Sequence, residues 1–145
     1  MLNLRTISAE DMDVLSSKAH LSNADLISMI DDTNAKSFNH RYFEMYVITE
    51  DDLIVGLISL YEQSASVISI GPEIFNEYRN CGYATNAMKI ALEIARSNGY
   101  KIVFQQIRAD NTASIRLHEK LGFETDGIIY KNRKQNDVYI YLKSI

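Results

Sequence analysis

The chain has one proline, one cysteine and no tryptophan among its 145 residues. Each shortage excludes something. With so little proline, and no glycine- or serine-rich tract or internal repeat, nothing marks a linker. Residues 1–145 therefore read as one domain, long enough to bury a core. The single cysteine, Cys81, allows neither an intramolecular disulfide nor a cysteine-rich metal site, so no metal is expected and a reducing, cytoplasmic setting fits. No apolar run reaches the roughly 20 residues that span a bilayer. The opening MLNLRTISAEDMD lacks the charged-then-apolar layout of a signal peptide, so no membrane partner is expected. A net charge of −4 argues against nucleic acid as the main partner, and an acidic chain more naturally meets cationic or neutral molecules. Hydrophobic residues at 46% against 23% charged place the chain among ordinary globular proteins.

What is present follows a clear order. Leu2, Leu4 and Ile7 read as a short opening strand, and Ser8 with Asp11 resembles a capping box for a helix over residues 9–19. Ser22 and Asp25 repeat the signal for a second short helix ending near residues 29–31, with DDTNAK as a polar loop. Phe43, Met45 and Val47 alternate with Tyr42, Glu44 and Tyr46, as in a half-buried strand. LIVGLISLY and VISIGPEI supply two more strands. Residues 80–97 are predicted helical and are stopped by Asn98-Gly99. KIVFQQI is again a strand, and Asn111 opens a helix that Gly122 ends. The tail GIIYKNRKQNDVYIYLKSI reads as two strands around a charged turn. This order predicts an α+β fold: a mixed, mostly antiparallel sheet flanked by helices, with a late strand–helix–strand crossover.

The segment EYRNCGYAT sits where a strand hands over to a helix. A helix start carries unpaired N–H groups and a partial positive charge, which favour phosphate. Gly82 lets an anion approach the backbone, and Arg79 adds a forked, permanently charged donor. Asn80, Cys81, Gly82, Tyr83, Ala84 and Thr85 then form a candidate pyrophosphate cradle. The plain alternative is a tolerated glycine beside a solvated arginine, and the local pattern does not separate the two.

A second segment, RADNTASIRLHEKLGF, follows the next strand. Together the two stretches resemble the signatures of the GCN5-related N-acetyltransferase (GNAT) superfamily: [RQ]-x-x-G-x-[GA] at a helix start, then an Asn-led helix ending in a [YH]-E-K-L-G-F-like run. The order of elements agrees over the whole chain. The NTASIRLHEKLGFETDGIIYKN run and the NDVYIYLK ending are most similar to the ribosomal-protein serine and alanine N-acetyltransferase branch.

The resemblance implies acetyl transfer from acetyl-CoA to a primary amine of a small molecule or a protein N-terminus, and it allows a homodimer. It implies that the backbone of Ile74, Phe75 and Asn76 pairs with the pantetheine arm and that the Ile74 N–H polarises the thioester carbonyl. The resemblance adds a cofactor contact for Asn111, together with Ser114, besides the capping of its helix by Asn111. His118 stands where many relatives carry a tyrosine that protonates the departing thiolate. An imidazole can also donate, so His118 is either that acid or a structural histidine. Where alanine-modifying relatives place a base glutamate, this chain has Gln106, which leaves Glu73 and Glu62 as candidate bases working through water. The acceptor is expected to meet residues 16–40 and the turn from Asn132 to Asn136, with Asp25, Asp31 and Asp32 able to attract a cation. The rival reading is a non-catalytic acyl-CoA-binding or regulatory module with the same fold.

Overall fold

The structure is a computed structural model describing residues 1–145. Strand β1 (Leu2–Thr6) leads through a short 3-10 turn (Ala9–Asp11) into α1 (Met12–Lys18). The Ser8 N–H donates to Asp11 Oδ2 at 2.9 Å, as the capping signal predicts, and Arg5 clamps the same carboxylate at 2.8 and 3.1 Å. Helix α2 spans Asn23–Ala35, with the Ser22 hydroxyl accepting from the Asp25 N–H. It therefore runs through most of DDTNAK, which the sequence suggests is a loop. The reason is Thr33: its side chain is buried in register with Leu26 and Ile30, and its hydroxyl accepts from the Met45 N–H at 3.1 Å.

The two-residue β2 (Ser37–Phe38) precedes the long meander β3 (Arg41–Glu50), β4 (Leu53–Ser64) and β5 (Val67–Ile74). Helix α3 (Tyr83–Ser97) crosses over to β6 (Ile102–Arg108), and α4 (Thr112–Lys120) follows. The tail forms β7 (Glu124–Thr125), β8 (Tyr130–Lys131) and β9 (Asp137–Ser144). Its first half contributes only short strands, because Gly127 at φ +74° bends the chain at the start of the apolar run.

The sheet order is β1-β3-β4-β5-β6-β9-β7, with β2 on β3 and β8 on β9. Only β5 and β6 are parallel, which is what a helical crossover produces. Alternation divides the side chains between the two faces. Ile48, Ile58, Ile68, Ile70, Val103 and Ile107 pack beneath Ala87, Met88, Ala91 and Ala95 of α3. On the other face Val47, Leu57 and Phe75 pack against Leu15, Leu26 and Ile30 of α1 and α2.

Candidate active site

Two registers of ladder, Val67 with Ile102 and Ile68 with Val103, are all that joins β5 to β6. Beyond them side chains replace the ladder. The Ser69 hydroxyl donates to the Phe104 carbonyl. The Gln105 amide then imitates a strand residue: its Oε1 accepts from the Ile70 N–H at 2.9 Å and its Nε2 donates to the Ile70 carbonyl at 2.5 Å. Past that stitch the strands part. Because Ile70 turns both backbone groups toward β6, alternation aims Pro72 and Ile74 into the opening as well. Pro72 has no N–H to leave unpaired there. The Ile74 carbonyl takes the Arg79 Nε at 3.1 Å, and its N–H faces the gap. The end of β5 is drawn tight against β4, since a Cβ on Gly56 would lie 2.2 Å from the Glu73 carbonyl oxygen.

Above the opening the chain turns into α3 with Asn80 at φ +64° and Gly82 at φ +80°. The backbone N–H groups of Asn80, Cys81, Gly82, Tyr83, Ala84 and Thr85 have no acceptor in the protein. The first turn of α3 carries no acidic residue to neutralise its positive end. These groups head a cavity of about 540 Å³ lined also by Pro72, Ile74, Asn111, Ser114, Arg116 and Lys120. Arg116 and Lys120 sit one turn apart on α4. Their i, i+4 spacing is visible in the sequence but points to this cavity only once α4 is placed beside α3.

A second cavity, about 840 Å³, lies on the sheet face opposite α3. Its floor is Ser69 and Gly71 of β5 with Phe104, Gln106 and Arg108 of β6, and the Asn132–Asn136 turn overhangs it. That turn is held by Asn132, whose Oδ1 accepts from the Lys134 and Asn136 N–H groups at 3.0 and 2.9 Å. Pro72 and Ser114 line both cavities, so the two meet through the parted strands.

Several expected site residues are brought together and others are not. Arg79, Asn80, Gly82, Tyr83, Ala84, Thr85, Ile74, Asn111 and Ser114 all line the smaller cavity, and Cys81 is exposed within the same turn. Asn111 caps α4 through its Oδ1, accepting from the Ser114 N–H at 3.1 Å. Phe75 departs from expectation: it is 4% exposed, its N–H donates to the Val55 carbonyl and its carbonyl already accepts from the Tyr78 N–H, so it has no backbone donor left to offer a cofactor. Asn76 begins a 3-10 turn outside the cavity lining, and its carbonyl is taken by the Arg79 N–H. Glu62 points to the α3 side of the sheet, where it accepts from the Tyr100 hydroxyl at 2.8 Å, and it lines neither of the two cavities. Glu73 is exposed and lines the smaller one. Of the acceptor-side segments, the Asn132–Asn136 turn reaches the larger cavity whereas no residue from 16–40 does, because α1 and α2 cover the β3–β4 half of that face.

His118 is 3% exposed and fully engaged. Its Nδ1 lies 2.7 Å from the Ser114 carbonyl, which can only accept, so Nδ1 carries the proton. Its Nε2 lies 3.1 Å from Gln105 Nε2, whose second hydrogen it accepts. The imidazole is thus neutral, with no proton on Nε2 to deliver. Burial holds its pKa below the ordinary histidine value, against the pull of the Ser114 carbonyl. With the folded pKa below the unfolded one, this histidine contributes stability that is complete above about pH 6.5 and is lost as pH falls toward the depressed value. His118→Gln should therefore lose less melting temperature than the parent between pH 7.5 and 5. Identical losses in the two proteins would show that His118 carries no such linkage.

A mixed sheet with a parted parallel pair, a row of acceptor-free N–H groups at the start of the crossover helix and a second cavity behind the gap is the arrangement that the resemblance to the GNAT superfamily predicts. Residues 2–124 match the family model described as acetyltransferase (GNAT) domain, and the chain belongs to that family. Over 92 residues it is 30% identical to the SPbeta prophage-derived uncharacterized N-acetyltransferase YokL of Bacillus subtilis (strain 168), covering 61% of this chain and 52% of that one. The matched region thus spans about half the length of that relative. Among solved structures, it is similar to the acetyl transferase from Salmonella typhimurium that modifies the N-terminal serine of 50S ribosomal subunit protein L7/L12 (TM-score 0.81, 18% identity, 99% of this chain and 95% of that one). It is also similar to spermidine N-acetyltransferase from Vibrio cholerae in complex with CoA and spermine (TM-score 0.80, 16% identity, 99% and 95% covered). At such identities the likeness is one of fold.

Proposed function

We propose that this protein is an acetyl-CoA-dependent N-acetyltransferase acting on a primary amine of a small molecule or a protein N-terminus. The observation that carries the reading is the row of N–H groups from Asn80 to Thr85 with no acceptor, heading a cavity that opens through the parted strands. Those donors receive the pyrophosphate, and Arg79, Arg116 and Lys120 supply positive charge for the remaining phosphate. The pantetheine arm runs past Ile74 and Pro72, which brings the thioester to the junction beside Ser114. The amine enters from the larger cavity and attacks the thioester carbonyl. As the C–N bond forms, the Ile74 N–H holds the developing oxyanion. The amine nitrogen then loses its proton, the C–S bond breaks and the electron pair leaves on sulfur.

The proton economy needs little help. A thiolate has a reference pKa of about 8.5 and leaves without a strong acid. His118, buried and accepting at Nε2, acts as a positioning residue: with Gln105 it sets where α4 stands against the gap. Glu73, at the edge of the smaller cavity, is the remaining carboxylate able to take a proton through water. The engagement of His118 and the lack of a carboxylate in the larger cavity also suit a non-catalytic acyl-CoA-binding module, and one measurement separates the two readings. Thiol release from acetyl-CoA should depend on added amine. Arg79→Ala should weaken CoA binding by roughly 1–3 kcal/mol, the worth of a charged hydrogen bond, as read by calorimetric titration. CoA bound without amine-dependent thiol release would leave only the binding module.

A further inference from the structure

The larger cavity has an unusual charge for this chain. Among its 17 lining residues are Arg108, Arg133 and Lys134 and not one aspartate or glutamate, although acidic residues outnumber basic ones 19 to 15 in the sequence. Arg108 is paired with Asp110 at 3.1 Å, so it brings hydrogen-bond donors but little net charge, and the net positive charge comes from Arg133 and Lys134. Arg133 and Lys134 form no ion pair. They project from a turn whose backbone is fixed by Asn132, so their charge is carried by a shaped element and not by a loose tail. Tyr61, Gln63, Gln106, Asn132 and Asn136, which also line it and reach solvent, are neutral hydrogen-bonding groups. The nearby acids are turned elsewhere: Glu62 to Tyr100 on the opposite face, and Asp137 to Lys131.

A cleft of this kind repels a polyamine and gives an ammonium no counter-ion. It also has no carboxylate to deprotonate an amine on arrival. Both facts favour an amine with a sizeable neutral fraction near pH 7.5. A peptide α-amine, with a reference pKa of about 7.7–8.0, is then roughly one-third neutral, against roughly one part in a thousand for a lysine-like amine. The two unpaired cations at the cleft, Arg133 and Lys134, push that balance further toward the neutral amine. The cavity volume lies in the range that encloses a small ligand or the first residues of a chain.

We infer that the acceptor is the amino terminus of a peptide with carboxylates in its first few residues, held by Arg108, Arg133 and Lys134 over the gap between β5 and β6. The proposal rests on the transferase reading above and names its substrate class. It reverses the expectation, drawn from net charge, of a cationic or neutral acceptor, because the local lining and the whole chain differ in sign.

The test is a thiol-release assay with acetyl-CoA and tetrapeptides of one length with a free N-terminus, in acidic, neutral and basic versions, beside spermidine and free aspartate. The acidic peptide should exceed its basic counterpart in kcat/KM by about tenfold or more, and the advantage should shrink with added salt, as surface charge attraction does. Arg133→Glu combined with Lys134→Glu should invert the ranking while calorimetric CoA affinity stays at the parent value, which shows that the variant is folded. Spermidine or the basic peptide matching the acidic one would overturn the acidic-peptide proposal and leave the transferase reading standing. Free aspartate outperforming every peptide would equally overturn the peptide class. If CoA binds and no amine of any charge is acetylated, both readings fall.

Discussion

Gly82→Glu should leave a folded protein that no longer binds CoA at concentrations saturating the parent. Two effects act together. Gly82 sits at φ +80°, where a side chain other than glycine costs about 1–2 kcal/mol. Steric crowding is not the issue, since a Cβ there meets nothing within 4 Å. The decisive effect is charge: a carboxylate is placed among the free N–H groups of residues 80–85, where it competes for the donors the pyrophosphate needs. Gly82→Asn separates the two effects, because asparagine tolerates the left-handed region and adds no charge. It should bind CoA with only a modest loss. Calorimetry on both variants, with melting curves to establish folding, decides the matter. Undiminished binding by Gly82→Glu would remove the α3 start from consideration as the phosphate site.

Gln105→Leu should lower the melting temperature by about 10 °C, the largest stability effect expected of any polar residue here. Gln105 is 6% exposed, and its amide satisfies the Ile70 N–H, the Ile70 carbonyl and His118 Nε2 at once. Leucine keeps the volume and leaves three groups without partners. Each unsatisfied buried group costs about 1–3 kcal/mol, and the adjacent cavity lets water recover part of that, so a net loss of about 3 kcal/mol is expected. At about 3 °C per kcal/mol for a chain of this size, the shift follows. Gln105→Glu makes a sharper test. Its carboxylate still accepts from the Ile70 N–H but faces the His118 lone pair, a clash relieved when a proton enters between them, and the more basic imidazole takes it. The folded pKa of His118 is then raised above its unfolded value, so this variant should gain stability as pH falls below that folded value. That sign is opposite to the parent's. A Gln105→Leu melting curve within about 2 °C of the parent would show that the amide does not hold the strands.

Much of this architecture is legible in the residues. The alternating runs give β3 and β9, the apolar runs give β4, β5 and β6, and the alanine-rich stripe of α3 shows its buried face without any partner in view. The Arg79–Gly82 turn is readable because its chemistry is local: unpaired N–H groups at a helix start depend on a few consecutive residues. Helix α2 was too long to read, since Thr33 looks polar and is helical only because Met45, twelve residues on, offers its N–H. The role of Gln105 is hidden for the same reason. Nothing in KIVFQQI distinguishes the glutamine that pairs with Ile70 from its neighbour Gln106, which lies open to the cleft.

The sequence by itself determined the order of the main elements, the crossover that makes β5 and β6 parallel, and the glycine-containing turn that starts α3. Hydrophobic period, glycine and helix-start chemistry act over a few residues and are written where they act. Only the tertiary structure decided the roles of the isolated polar side chains. It turned Glu62 away from the gap, closed the backbone of Phe75 into the core and gave His118 a lone pair in place of a proton. It also gathered Arg108, Arg133 and Lys134 around one cavity in an acidic chain. A side chain's protonation, partners and field depend on what the fold packs against it, and those neighbours lie tens of residues away.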